Sequence, residues 1–444
     1  MSRAGLYGPW PRLLPLDVAK RSIAVARDIG ARIGSDNCLS YSLTGAKGSQ
    51  SSIRPPLSGL ARGYAGLALA CGHFDRCFPR ECWDEPAHDH LERSIRIIEV
   101  QKSSTLGLFG GLCGVAFTAQ YLNHRKRYTQ LIRSLDALIY KTIPEVLEEY
   151  AYDKSHASSE FDLVSGLTGI GVYLLMRKQN ENSRTLLKTV LRVLIDQTNL
   201  GNFPLGWHTS PESVEGRSLR QMFPDGCVNL GLAHGIPGPL ALMAISKQNG
   251  VTPRGMNAAM QRLGDWLISC QCSDEWGINW PVAVPVSRSP LSPHQNCRTT
   301  PSRGAWCYGA PGIARTLWLL GRAMCCSTYC DCSLAALKAV YSRPYRARQL
   351  NSPMFCHGLA GVLQITVRTA RDAGLQTLKD SVLELTNRIL HAYDRTSVYG
   401  FRSEGHGPAA DDPSVLEGVA GTALALMSAA VPIEPTWDRL FLIS

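Results

Sequence analysis

Trp306-Cys307-Tyr308-Gly309 and Phe355-Cys356-His357-Gly358 place two thiols and an imidazole at the heads of two glycine-punctuated apolar runs. Cysteine sulfur and histidine nitrogen are habitual zinc ligands. A structural zinc closes all four positions with protein atoms, whereas a catalytic one keeps a position open for water or substrate. Three protein ligands with an exchangeable fourth therefore point to a metalloenzyme acting on sulfur. Cys307 and Cys356 each stand two residues before a glycine that opens an apolar segment, where a helix dipole and unpaired N–H groups favour a thiolate. Adjacent Cys356 and His357 cannot share a helix face, but in a turn before a helix both can reach one metal.

Other polar residues fall near the same position of related segments. His234 directly precedes Gly235, Asp162 stands four residues before Gly166, Arg303 stands four residues before Cys307, and Tyr308 follows Cys307. His234 reads as functional because its register matches that of the metal candidates. Cys71, Cys113 and Cys227 read as small core hydrophobes. Cys325-Cys326-Ser327-Thr328-Tyr329-Cys330-Asp331-Cys332 is a competing zinc candidate, since four thiols within eight residues could wrap a structural ion. It matches no C-x-x-C pair and lacks a nearby histidine. It reads instead as reduced cysteines in a connection between repeats.

The elements that must position these groups recur along the chain. Seven G-x-x-G motifs, at Gly63/Gly66, Gly111/Gly114, Gly166/Gly169, Gly235/Gly238, Gly309/Gly312, Gly358/Gly361 and Gly418/Gly421, each open a small-residue apolar segment, with successive copies 48 to 74 residues apart. That period suits one helical hairpin plus a variable loop. Between the motifs run amphipathic stretches with apolar residues at three- and four-residue spacing, such as Leu131, Leu135, Leu138 and Ile139, or Leu378, Val382, Leu385 and Ile389. Comparable patterns cover Val18 to Ile33, Leu91 to Ile98, Leu186 to Ile195 and Met256 to Leu267. The pattern predicts an all-α fold, an α/α toroid of seven inner and seven outer helices.

Two longer intervals, Thr198 to Leu230 and Ser273 to Ala305, break helical periodicity with aromatics and prolines, among them Trp207, Pro224, Trp276, Pro281 and a Pro/Ser-rich Val284 to Ser302. Short extended excursions are expected there, either rimming a pocket or as plain surface loops. The repeat runs through the 444 residues without a linker-like break, so a single domain over 1–444 is expected, with a small non-helical insertion over about 198–230. With 45% hydrophobic and 18% charged residues the chain can fill a large core. A formal charge of +10 forms no dense basic block, which argues against nucleic acid. No run is long enough to span a bilayer. Met1 to Leu16 carries no signal-peptide core, so a cytoplasmic location is expected, in which the fifteen cysteines stay reduced.

Leu232-Ala233-His234-Gly235-Ile236-Pro237-Gly238, Trp306-Cys307-Tyr308-Gly309-Ala310-Pro311-Gly312 and Cys356-His357-Gly358-Leu359-Ala360-Gly361, in this order and register, resemble the lanthionine synthetase C-like family, specifically its stand-alone class I lanthipeptide cyclases. The resemblance covers nearly the whole chain. It implies zinc held by Cys307, Cys356 and His357, and addition of peptide cysteines to dehydroalanine or dehydrobutyrine to form thioether rings. It also implies His234 as the acid/base residue, Asp162 as its helper, and Arg303 and Tyr308 as pocket residues. The implied partners are a dehydrated precursor peptide with its leader and a lanthipeptide dehydratase, compatible with a peripheral membrane complex. Part of Thr198 to Leu230 would correspond to the family's leader-contacting extension. A relative that adds glutathione or another small thiol stays open. A glycan-processing toroid lacks the second carboxylate it would need, and a non-catalytic peptide-binding toroid would have no reason to keep two thiols and an imidazole in register.

Overall fold

The computed structural model describes residues 10–34, 57–101, 105–152, 157–199, 205–214, 217–285, 302–401 and 411–444. The first nine residues, and 286–301 of the Pro/Ser-rich stretch, lie outside the described residues.

Fourteen long helices alternate in character along the described chain. They are α1 (Leu16–Ile33), α2 (Tyr64–Cys77), α3 (Asp84–Gln101), α4 (Leu112–Leu122), α5 (Thr129–Tyr152), α6 (Leu167–Met176), α7 (Glu181–Asn199), α8 (Pro237–Gln248), α9 (Met256–Ser269), α10 (Ala310–Met324), α11 (Ser327–Ser342), α12 (Leu359–Ala373), α13 (Gln376–His391) and α14 (Val419–Ala430). Seven of them, α2, α4, α6, α8, α10, α12 and α14, begin at the glycine motifs. These are buried on nearly every side; every residue of α14 is buried. The helices between them bury one stripe only, as α1 does with Val18, Ala19, Ser22, Ala26, Ile29, Gly30 and Ile33.

α11 corrects the expectation for Cys325–Cys332. That segment is no loop. Cys325 ends α10 in a left-handed conformation, Cys326 precedes α11, and Cys330 and Cys332 lie inside the helix. Burial raises both of their thiols above the ordinary cysteine value. Cys71 and Cys113 are wholly buried and Cys227 nearly so, as expected of core residues. Burial pushes the Cys227 thiol up to about 11.

By its contacts the chain divides into two compact units, one of 1–102, 121–125 and 350–438, the other of 103–120, 126–349 and 439–444. In the first, α2 pairs with α3 and α12 with α13, so each buried helix is covered by the one that follows it. Among the described residues no long helix follows α14. α1, from the far end of the chain, packs there instead. The approach to α1 is fixed as well, because the Trp10 indole N–H donates to Ser428 O at 3.1 Å and Leu13 N to Ala429 O at 3.3 Å. On α12, Gln364 Nε2 (2.6 Å), Arg368 Nε (2.7 Å) and Arg368 Nη2 (2.9 Å) donate to the buried Asp438 carboxylate.

His73, in α2, gives this unit a pH dependence. Its Nδ1 lies 2.9 Å from the Tyr121 hydroxyl and its ring stands edge-on to Trp437. Burial, then the neighbouring Arg76 charge, lowers its pKa to about 3, against partial opposition from Asp438. The unfolded chain takes up that proton near pH 6.5 and the folded one does not. Stability is therefore full above about 6.5 and falls as the pH drops toward 3, by about 1.4 kcal/mol per unit. Urea titrations should show His73→Phe flattening the wild-type slope between pH 6.5 and 5 by about 2 kcal/mol in total. Equal slopes in the two proteins would remove His73 as the cause.

In the second unit α6 pairs with α7 and α10 with α11, while the buried helices α6, α8 and α10 follow one another side by side. Strands from the two irregular intervals share one sheet. β1 (His208–Thr209) and β2 (Cys227–Asn229) come from the first interval, β3 (Cys272–Asp274), β4 (Gly277–Asn279) and β5 (Ala283–Pro285) from the second. β3 and β4 form a hairpin, and β2 pairs antiparallel with both β1 and β5 in a three-stranded sheet. Val214, Phe223, Cys227 and Ala283 make a small core there, with Leu219 and Val282 packed against it. The sheet leads straight into the loop that opens α8.

Candidate active site and metal ligands

A single local device builds every helix start that could carry chemistry. The loop ahead of each buried helix folds back over its first turn, so a β-carbon on the first motif glycine would meet main chain six residues upstream in all seven copies. At Gly235 that atom would lie 2.2 Å from Asn229 O. At Gly309 it would lie 1.7 Å from Arg303 O, and the φ of +108° there also favours glycine. The folded loop caps the helix, since its carbonyl accepts a first-turn N–H otherwise left without a partner. Ile236 N donates to Asn229 O at 3.1 Å, Leu359 N to Ser352 O at 2.9 Å, and Val419 N to Asp412 O at 2.9 Å.

Neighbouring loops are then stitched together. In the second unit Leu163 N donates to Ala233 O at 3.1 Å and Ala233 N to Cys307 O at 3.4 Å. In the first, Cys356 N donates to Leu416 O (2.9 Å) and Leu416 N to Ala61 O (3.0 Å). This ladder is why residues far apart in sequence stand beside each other: Ala233 lies between the loops of Asp162 and Cys307, and His234 follows it.

Asp162 is 1% exposed, and its Oδ2 lies 2.6 Å from His234 Nδ1. Its Oδ1 accepts from Ser165 N (2.7 Å) and Gly166 N (3.0 Å), at the start of α6. A carboxylate so supplied with donors can only accept from the imidazole. The Nδ1 of His234 therefore carries the hydrogen, and the exchangeable lone pair sits on Nε2. The His234 side chain is 30% exposed, open enough to meet a ligand. Tyr308 stacks beside it, ring centroids 6.3 Å apart at 29°.

Tyr308 is held from its other end by a residue that the sequence reading passed over. Asn229, the last residue of β2, donates from Nδ2 to the Tyr308 hydroxyl at 2.9 Å and accepts at Oδ1 from Gly231 N at 2.8 Å. The signal available was its place six residues before Gly235, in the loop that caps α8.

Cys307 is 7% exposed, and the buried Trp306 fixes the loop that carries it. The Trp306 indole N–H donates to Phe441 O at 3.0 Å and its ring stands edge-on to Phe441. Arg303 contributes its main chain to the turn against Gly309, and its side chain is exposed. Cys356 and His357 are half-buried in the loop immediately before Gly358, the N-cap of α12. They belong to the first unit, whereas Asp162, His234, Arg303, Cys307 and Tyr308 belong to the second. The second unit thus brings Asp162, His234 and Tyr308 together, with the Cys307 loop bonded to that of His234.

Among the described residues, no group of three or more His, Cys, Asp or Glu side chains is gathered so as to hold a metal ion. The donor set nevertheless fits zinc in chemistry, because both thiols stand at helix N-termini, which favour thiolate, and an imidazole directly follows one of them. No helix of the described residues is long and apolar enough to cross a membrane.

The family described as Lanthionine synthetase C-like protein matches residues 57–442. Nisin biosynthesis protein NisC of Lactococcus lactis subsp. lactis is 25% identical over 391 residues, 86% of this chain and 88% of that protein. The solved structure of a nisin cyclase superposes with a TM-score of 0.73 at 22% identity, over 88% of this chain and 93% of that one. The likeness bears out the all-α toroid class expected from the seven-fold repeat.

Proposed function

This chain belongs to the lanthionine synthetase C-like family, and we propose that within it the chain is a zinc-dependent lanthipeptide cyclase, adding peptide cysteine thiols to dehydroalanine or dehydrobutyrine residues. The observation that carries the reading is the buried Asp162 carboxylate holding His234 at 2.6 Å, on a loop hydrogen-bonded to that of Cys307. A non-catalytic peptide binder would gain nothing from an imidazole oriented in this way.

Cys307, Cys356 and His357 are the residues that would hold zinc. When bound, the ion would act as a Lewis acid on a peptide thiol, which is mostly protonated at neutral pH with its ordinary pKa near 8.5, so that the thiol releases its proton to solvent. Addition then forms a bond from sulfur to the β-carbon, and the alkene electron pair moves to the α-carbon and carbonyl as an enolate. His234, having taken up a proton from solvent on Nε2, delivers it to the α-carbon and returns to the neutral ring with its hydrogen on Nδ1. Asp162 keeps the ring in the tautomer that directs Nε2 outward, and its charge offsets that of the imidazolium before transfer. Tyr308 and Arg303 line the place where enolate charge develops. No bond in this sequence needs ATP or a redox cofactor.

The substrate we assign is a dehydrated precursor peptide carrying its leader, which the sheet formed by β1, β2 and β5 would meet at the rim of the site. A lanthipeptide dehydratase would supply it. The test is to incubate the zinc-loaded protein with a dehydrated cysteine-containing peptide, alkylate the remaining thiols, and weigh the product. Ring closure leaves the peptide mass unchanged and removes one alkylatable thiol per ring. Full alkylation with this peptide, together with consumption of glutathione by a dehydroalanine peptide, would transfer the reading to small-thiol addition.

A further inference from the structure

Tyr308 and Asn229 form a pair whose hydrogen-bond direction is fixed by the backbone. The Asn229 side-chain oxygen accepts the Gly231 N–H at 2.8 Å, which settles the orientation of the amide. The amide nitrogen must then be the atom facing Tyr308, 2.9 Å from its hydroxyl. A phenol oxygen that accepts from an amide N–H has to direct its own hydrogen elsewhere. The Tyr308 ring also lies beside that of His234, centroids 6.3 Å apart at 29°. Room for adjustment is small, because a single β-carbon at Gly231 would come within 2.6 Å of the Tyr308 ring and 2.7 Å of Cys307 O.

We propose that Asn229 is a positioning residue for ring formation: it keeps Tyr308 a hydrogen-bond donor, aimed at the carbonyl oxygen on which enolate charge builds. The inference rests on the cyclase reading above and adds to it a residue and a direction. Polarisation along the pair strengthens the donor, since an N–H donated to a hydroxyl oxygen makes its O–H more acidic toward a second acceptor. β2 carries Asn229 at its last position, paired with Ala283 of β5, so the sheet built from both irregular intervals reaches the chemistry through this one side chain. An acceptor at this position reverses the arrangement. A carboxylate there would draw the phenol hydrogen to itself and leave the lone pairs of Tyr308 facing the enolate.

The test compares Asn229→Asp, Asn229→Ala, Tyr308→Phe and the Asn229→Asp/Tyr308→Phe double variant in single-turnover cyclisation of a dehydrated peptide, with peptide affinity and thermal unfolding measured alongside. Tyr308→Phe loses one oxyanion donor, expected to slow the chemical step by about a hundredfold. Asn229→Asp should match that loss in rate with unchanged peptide affinity, Asn229→Ala should lose about tenfold, and the double variant should be no slower than Tyr308→Phe. Should Asn229→Asp fold poorly, Asn229→Ala carries the test through the same pairing with Tyr308→Phe. Wild-type rates in the Asn229 variants beside a slow Tyr308→Phe, or losses that multiply in the double variant, would overturn the assignment while leaving the cyclase reading intact. A wild-type protein that forms no rings would overturn the cyclase reading, and this inference with it.

Discussion

Cys307→Ala, Cys356→Ala and His357→Ala are each expected to leave the protein without zinc and without detectable ring formation, while its far-UV circular dichroism stays that of a helical protein. On the proposed ligation, removing one of the three residues would leave too few donors to retain the ion through dialysis, and the substrate thiol would then stay protonated at neutral pH. The fold should survive because these loops are held by other bonds. Trp306 anchors the first through Phe441, and Cys356 is tied to Leu416 by its backbone N–H, which alanine retains. Metal analysis after dialysis, read beside thiol counting, separates the two losses. Full zinc in all three variants would end the assignment. Zinc kept by some of them would move ligation elsewhere, with Cys325 to Cys332 the next segment to examine.

His234→Asn is expected to keep its zinc and its affinity for dehydrated peptide yet form rings about 10² to 10⁴ times more slowly, the usual cost of removing a general acid. Asp162→Asn should fall in the same range by a different route. An amide nitrogen facing Nδ1 would donate to it, shift the hydrogen to Nε2, and leave the ring in the wrong tautomer. The amide oxygen would still accept the two backbone N–H groups at the start of α6 but without the carboxylate charge, so Asp162→Asn should in addition lower the unfolding temperature slightly, which His234→Asn should not. Ring formation by His234→Asn at the wild-type rate, with one stereochemistry, would make His234 a structural residue.

How far the sequence carried is best judged residue by residue. The helix starts were legible because the loop that caps each one passes too close for any side chain, and that demand writes a glycine into all seven copies. The pairing of His234 with Asp162 was half legible: both positions stood out by register, but the bond itself depends on the ladder from Leu163 through Ala233 to Cys307, which no local pattern encodes. The place of the seventh outer helix, α11, was not legible because its four flanking and internal cysteines masked an ordinary helix. The sheet of β1, β2 and β5 was missed as a unit, since its strands are only two or three residues long and β2 and β5 lie more than fifty residues apart, so that they carry no mutual signal. Asn229 went with it. The packing of α1 on α14 likewise follows from the buried face that α14 would leave uncovered, a fact of the fold with no signature near residue 16.

Rings are expected to form by addition across a carbon–carbon double bond, completed by a proton that His234 exchanges with solvent. Running the reaction in deuterium oxide and hydrolysing the product tests this directly. The account predicts one deuterium at the α-carbon of each former dehydro residue, in a single stereoisomer for the wild-type protein and in a mixture for His234→Asn. Thioethers without deuterium at that carbon, or the same single stereoisomer formed equally fast by both proteins, would contradict it.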